Sequence, residues 1–248
     1  MKFTDAFWEK RNLGVDTLEV QTEEIDFRRD SFEFEQQILR YQQSKGYGYV
    51  VIKLPEGHPE LDRYLQQCKW WKVETQIELV ANAKNVEFCT ARCKDVLENI
   101  SLEVIREQNQ LDFLKHEIEK GIFQTDRIAL DPSYGVAIAG KRYANWVQDE
   151  FDRGSHISFG CVDGKRVEFA LDRYTGRARE GLLGGLLLDT QYEGGAGLLE
   201  AFRLRKDLEN GIKRFHTYVS SNNLVILRLH ESMGYRVKSL QGVYIRHF

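Results

Sequence analysis

At 248 residues, with 42% hydrophobic and 29% charged side chains, the chain has the make-up of a globular protein able to bury a sizeable core, as one domain or two. Thirty-five basic against 38 acidic residues leave a net charge of −3, so bulk electrostatics give no pull toward nucleic acid or an anionic membrane surface. No apolar run approaches the ~20 residues that span a bilayer, and the opening MKFTDAFWEKRNLGV lacks the apolar core of a signal peptide. Four cysteines (Cys68, Cys89, Cys93, Cys161) without a CxxC pair fit reduced thiols in a cytoplasmic protein better than a disulfide framework or a metal site.

Three prolines and no Gly/Ser-rich linker leave boundaries to be read from pattern. Tyr47–Leu54 is β-branched and aromatic, a strand. Pro59–Gln67 reads as a short helix, with proline where its missing N–H does no harm. Trp71–Leu79 alternates, placing Val73, Thr75, Ile77 and Leu79 on one buried face. The polar stretch Ala81–Asn85 is the seam, dividing an N-terminal α/β unit over 1–84 from a second domain over 85–248. A strand at Val86–Cys89 and a helix from about Cys93 to Arg106 are expected next, then a helix carrying Leu111, Phe113, Leu114 and Ile118 that Gly121 closes. After the loop FQTDRIALDPSYG comes a helix near Ala137–Phe151 with Tyr143, Trp146 and Val147. His156–Cys161 and Arg166–Leu171 form a hairpin turning at Asp163 and Gly164.

The stretch GLLGGLLLDTQYEGGAG, Gly181 to Gly197, organises the rest of the chain. Leu182–Leu188 is an apolar strand expected to lie buried between layers. Gly184 and Gly185 within it point to a bulge or to close approach of another backbone or a ligand. A glycine-rich turn leads into a helix whose Gly197, Ala201, Leu204 and Leu208 share one face. Backbone N–H groups at such a helix start suit a phosphate. Phe215–Val219 is a strand, SSNN caps a helix with Ile226, Leu229 and Met233 inward, Gly234 ends it, and Tyr235–His247 returns as strand. VVIKLPEGHPELDRYLQQCKWWKVETQIEL and HTYVSSNNLVILRLHESMGYRVKSLQGVYI echo one another as strand, loop, helix, aromatic, strand, so the first unit could be a partial copy of the second.

Gln191-Tyr192-Glu193-Gly194-Gly195-Ala196 reads Q-x-x-G-x-A, and SSNNLVILRLHESMGY comes about 30 residues later. Together they resemble two motifs of the Gcn5-related N-acetyltransferases (GNAT), the pyrophosphate loop and the late Asn-plus-helix motif. FWEKRNLGV, LDRYLQQ…VETQIEL, RYANWVQDEFDRGSH and the segment from GLLGGLLLD onward are similar to the dTDP-fucosamine acetyltransferase group within that superfamily. The resemblance implies an α/β fold with a mixed, mostly antiparallel sheet flanked by helices. It implies acetyl-CoA as co-substrate, no metal, and a small-molecule amine acceptor, the amino group of a nucleotide-linked deoxy amino sugar; a homodimer is also suggested. By position, the backbone of Leu186, Leu187 and Leu188 would bind the pantetheine arm. Gln191, Gly194, Gly195, Ala196, Gly197 and Leu198 would wrap the pyrophosphate, and Asn223 would meet the coenzyme near its thiol.

Seven residues after that Asn, where the family carries a tyrosine acid, stands His230. The transfer runs by direct attack of a neutral amine on the thioester, and the thiolate leaves best if protonated. An imidazolium can supply that proton, as a stronger acid than a phenol. Asp189 and Glu168 are conceivable bases, salt-bridging being the plainer role for each; an aromatic pair on the Tyr143 helix is more simply core, and Arg127 more simply an ion-pair partner. Two rival readings stay open. One is transfer to a peptide, lysine or small-metabolite amine; the other is an acyl-CoA-binding module without catalysis.

Overall fold

The computed structural model describes residues 1–23, 26–27, 30–91, 99–187 and 195–248. The first part holds β1 (Lys2–Asp5), a 3-10 turn at Phe7–Glu9 running into α1 (Lys10–Leu13), β2 (Thr17–Gln21), α2 (Ser31–Lys45), β3 (Tyr49–Pro55), α3 (Pro59–Gln67), β4 (Trp71–Asn82) and α4 (Ala83–Thr90). Then come β5 (Ile100–Val104), α5 (Gln108–Glu119), α6 (Gly135–Asp152), β6 (His156–Val162), β7 (Lys165–Thr175), β8 (Ala178–Leu186), α7 (Gly195–Glu209), β9 (Arg214–Ser220), α8 (Leu224–Ser232) and β10 (Arg236–His247).

The ten strands form one sheet in the order β1-β2-β3-β10-β4-β9-β8-β7-β6-β5. Among the described residues β2/β3 and β8/β9 are the parallel pairs; the rest are antiparallel. This is the mixed, mostly antiparallel sheet flanked by helices that the resemblance implied. Period-two alternation assigns the faces. Val50, Ile52 and Leu54 meet α2 and α3, whereas Tyr49 and Val51 meet Ile128 and Ala139 of the 122–134 segment and α6. Helix α7 packs with β4 and β9 on the α2/α3 side, and α5 and α6 pack on β6 and β7 on the other.

The strand order has a pattern. Outward from the central β10/β4 pair, β10 meets β3, β2 and β1, while β4 meets β9, β8 and β7. In each direction the pairings run antiparallel, parallel, antiparallel. The two segments that echo one another in sequence thus exchange their last strands, β10 lying against β3 and β4 against β9.

Three expectations need correction. Val86–Cys89 is helical, inside α4, because the Asn82 side chain accepts the Asn85 N–H at 2.9 Å and caps a helix start there. Ile100–Val104 is a strand rather than helix, since its alternating residues pair with Val162–Ser158 of β6; Cys93 lies outside the described residues. The apolar run of β8 is not buried between layers. Its pairing with β9 covers Ala178–Gly181, so Leu182–Leu186 borders a gap and Leu186 is 40% exposed.

Candidate functional site

The site begins where two parallel strands part. β8 and β9 are in register from Ala178↔Arg214 to Gly181↔Thr217, where the Thr217 hydroxyl donates to Gly181 O at 2.9 Å. Beyond that β8 stays with β7, with a bulge at Leu182, and β9 stays with β4 as far as Ser220↔Gln76. A wedge opens between them. Leu187 N–H donates to Val167 O at 2.9 Å. By antiparallel alternation the N–H and C=O of Leu186 then point away from β7, into the wedge. Gly185 is required by a close approach, since a Cβ there would stand 2.9 Å from Ile122 Cγ2.

Leu188, Gln191 and Gly194 lie outside the described residues. Gly195 and Ala196 open α7, whose first turn carries no acidic residue. Gly197 lies close against α8, a Cβ there meeting Leu229 Cδ1 at 3.4 Å, and Leu198 packs beside the Ile100–Val167–Leu199 cluster. Asn223 is the N-cap of α8, its Oδ1 accepting the Ile226 N–H at 3.3 Å. The turn before it is tied to β4: Ser221 N–H donates to Thr75 O at 2.8 Å and Thr75 N–H to Ser221 Oγ at 3.0 Å. Leu224 and Val225, apolar yet 56% and 77% exposed, sit on the first turn of α8. The structure therefore brings the ends of β8 and β9 and the start of α8 around one wedge.

His230 lies two turns down α8, half-buried. Its Nδ1 stands 2.9 Å from Ile226 O, so it carries the hydrogen, and its ring meets Tyr235 edge-on at 4.9 Å. Its charge would bear on Glu200: burial works to raise that carboxyl, but Arg179, Arg203 and then His230 hold it down to about 2.

Glu168 faces α7, bound to Arg203 at 2.6 Å within a buried lattice. There Arg179 meets Asp172 at 2.8 Å and both Glu200 and Asp207 at 3.2 Å. Burial in this surplus of acids pushes Glu168 up to about 7 and Asp207 up to about 6. Asp189 lies outside the described residues. Arg127 is buried between Glu9 at 3.1 Å and Glu19 at 2.7 Å. On α6, Asn145 donates to Asn12 at 2.8 Å, Asp149 takes Arg11, and Arg142 takes Glu9, so the FWEKRNLGV and RYANWVQDE segments dock onto each other. Glu74, Asp126 and Ser220, on the α6 side of the wedge, were not singled out from sequence. Their meeting depends on where β9 leaves β4, which no local pattern records.

No protein-family model matches this chain, and no curated protein matches its sequence. Solved structures do. A conserved protein of unknown function from Staphylococcus epidermidis aligns at TM-score 0.64 and 10% identity, over 94% of this chain and 84% of that one. A GCN5-related N-acetyltransferase from Sphaerobacter thermophilus aligns at TM-score 0.62 and 12% identity, over 99% of this chain and 75% of that one. The fold is that of the GCN5-related N-acetyltransferases. A tandem GNAT protein from the clavulanic acid biosynthesis pathway also aligns, at TM-score 0.52 and 9% identity, over 87% of this chain and 69% of that one. At 9–12% identity these likenesses extend to the backbone fold.

Proposed function

We propose that the protein is an N-acetyltransferase that moves an acetyl group from acetyl-CoA to a primary amine, by direct attack in a ternary complex. The observation that carries the reading is the wedge. An apolar strand end with backbone groups turned into it, followed by a glycine-rich helix start without acids, suits an extended thioester cofactor with a diphosphate. In this reading Leu186, Leu187 and Leu188 lie along the pantetheine arm. Gln191, Gly194, Gly195, Ala196, Gly197 and Leu198 surround the pyrophosphate, Asn223 marks the thiol end, and His230 protonates the departing thiolate. With Nδ1–H held by Ile226 O, that proton comes from Nε2 of the imidazolium.

For the acceptor we propose the amino group of a nucleotide-linked deoxy amino sugar, supported by the segment resemblances alone. The exchanged-strand order and the likeness to a tandem GNAT protein support a second element of the reading, that residues 1–84 are a partial copy of the coenzyme-binding part. We place the protein in the cytoplasm, where acetyl-CoA is available and Cys68, Cys89 and Cys161 stay reduced. Calorimetry with acetyl-CoA tests the coenzyme, and thiol release with a nucleotide-linked amino sugar, a lysine peptide and simple amines tests the acceptor. Absence of binding heat rejects the reading. Binding without thiol release above background for any acceptor favours the non-catalytic module.

A further inference from the structure

The wedge has two mouths. One faces α7 and α8. Across the other, on the α6 side, residues 122–126 run from strand to strand. Ile122 lies against Gly185 of β8, Phe123 packs on Tyr143 with the rings tilted and their centroids 4.2 Å apart, and the Ser220 hydroxyl of β9 donates to Thr125 O at 2.9 Å. Ser220 is the last residue of β9 paired with β4, opposite Gln76. One pleat further along β4, on the face that Gln76 occupies, stands Glu74, at the point where β9 has turned away and Asn222 reaches back to Val73 O at 3.3 Å.

The groups facing Glu74 are Lys53 from β3, Asp126 and Arg127 from the crossing segment, Tyr143 from α6 and Ser220 from β9. Burial raises its carboxyl above the usual range and the Asp126 charge adds to this, while Ser220, Arg127 and Lys53 oppose. The side chain is nonetheless half-buried rather than sealed. The neighbouring carboxylates are committed elsewhere. Asp126 Oδ1 accepts Ala129 N–H at 2.9 Å and its carboxylate also serves the Tyr143 hydroxyl, while Glu168 lies on the opposite face with Arg203.

This step rests on the acetyltransferase reading. A primary amine arrives as an ammonium and has no lone pair until it loses a proton. We infer that Glu74 is the base that takes it, from an acceptor entering at the α6 mouth while the thioester enters from the α7 and α8 side. One N–H bond of the ammonium breaks and its proton passes to the Glu74 carboxylate. The freed pair forms the C–N bond at the thioester carbonyl, and the C–S bond breaks with its electrons on sulfur. His230 gives its Nε2 proton to the thiolate and is restored by the remaining excess proton on nitrogen, and Glu74 returns its own to water. The products are one amide, one thiol and one released proton. The first unit would then be more than a scaffold, since its strand β4 carries a catalytic residue.

The test uses the full chain, acetyl-CoA and three amines: a nucleotide-linked amino sugar, spermidine and a lysine-containing peptide. Glu74→Gln should keep acetyl-CoA affinity within about twofold by calorimetry, since the side chain lies across the wedge from the coenzyme. Thiol release at neutral pH should fall by about 10²-fold. That loss should shrink as pH rises toward the amine's own pKa, where free amine no longer needs a base. Glu74→Asp, which keeps a carboxylate, should recover part of the rate, and it carries the test if the Gln variant fails to fold. A Glu74→Gln rate and pH profile within twofold of wild type overturns the assignment, and so does acetyl-CoA binding by wild type without thiol release for any of the three amines. No binding heat in wild type overturns the transferase reading itself and the assignment with it.

Discussion

The molecule contains the same β–α–β arrangement twice, and the two versions differ where a ligand would matter. In the first, β2 and β3 stay paired along the whole of β2, Thr17–Gln21 against Tyr49–Lys53. In the second, β8 and β9 part after Gly181 and Thr217. Helix α2 begins with Asp30, whose carboxylate accepts the Phe32 and Glu33 N–H groups at 2.7 and 3.0 Å. A carboxylate there occupies the amides and offsets the helix dipole that an anion would use. Helix α7 begins Gly195-Ala196-Gly197, with no acid in its first turn. The interiors differ as well. Under α2 lie Phe34, Ile38, Val50, Ile52, Leu65 and Trp70, while under α7 two buried arginines bind four acids. One version is a closed, self-capped scaffold. The other has given up sheet hydrogen bonds to make a wedge, and an ionic lattice fastens α7 to the strands beside it.

The largest effect expected from breaking that contrast is on stability. Arg179 is 4% exposed and holds Asp172, Glu200 and Asp207 together. Arg179→Met takes the arginine from all three and leaves Arg203 to pair with Glu200 and Glu168, and removing one partner from a buried ionic cluster costs about 3–5 kcal/mol. Urea unfolding should show the loss as a lower midpoint. Next in size is an exchange of helix starts. Ala196→Asp gives α7 the acidic opening of α2 and should weaken acetyl-CoA binding by about 10²-fold, close to 3 kcal/mol. The reciprocal Asp30→Ala should cost about 1 kcal/mol of stability as a lost cap and leave acetyl-CoA affinity unchanged. If both variants bind acetyl-CoA as wild type does, the α7 start is not where the diphosphate sits.

Features of the fold were legible in the sequence to the extent that they rest on local chemistry. The ends of α3 and the turn at Asp163 and Gly164, both at positive φ, are of that kind and were readable. The face of α2 was harder to read, because Glu35 and Gln42 are buried beside Phe34 and Ile38. Glu35 accepts from Trp70 Nε1 at 2.9 Å and Gln42 donates to Tyr47 O at 2.8 Å, so polar residues occupy positions that periodicity reserves for apolar ones. The apolar run of β8 was visible, but not its exposure, which depends on the departure of β9. The exchange of β4 and β10 between the echoing segments left no local trace, and neither did the place of Glu74, which that exchange creates.

The smallest effect concerns pH and separates the two interiors further. Glu168, 6% exposed, titrates at about 7 in the folded protein against an ordinary 4.5. Between those values the folded state holds a proton that the unfolded state has released, so stability is fullest below 4.5 and declines as pH rises through 7. Asp207, raised to about 6, acts in the same sense at slightly lower pH. His156 acts oppositely, since burial holds its imidazole below the usual range and its contribution grows as pH rises. The informative quantity is therefore the difference between wild type and Glu168→Gln, in which His156 and Asp207 largely cancel. The two should be closest in stability at pH 4.5 and below, where Glu168 is neutral in the folded chain and largely neutral in the unfolded one. By pH 8 the Gln variant should lead by on the order of 1–3 kcal/mol. Parallel stability curves from pH 4.5 to 8 would mean that the lattice carries its surplus charge some other way, with Glu168 ionised throughout beside Arg203.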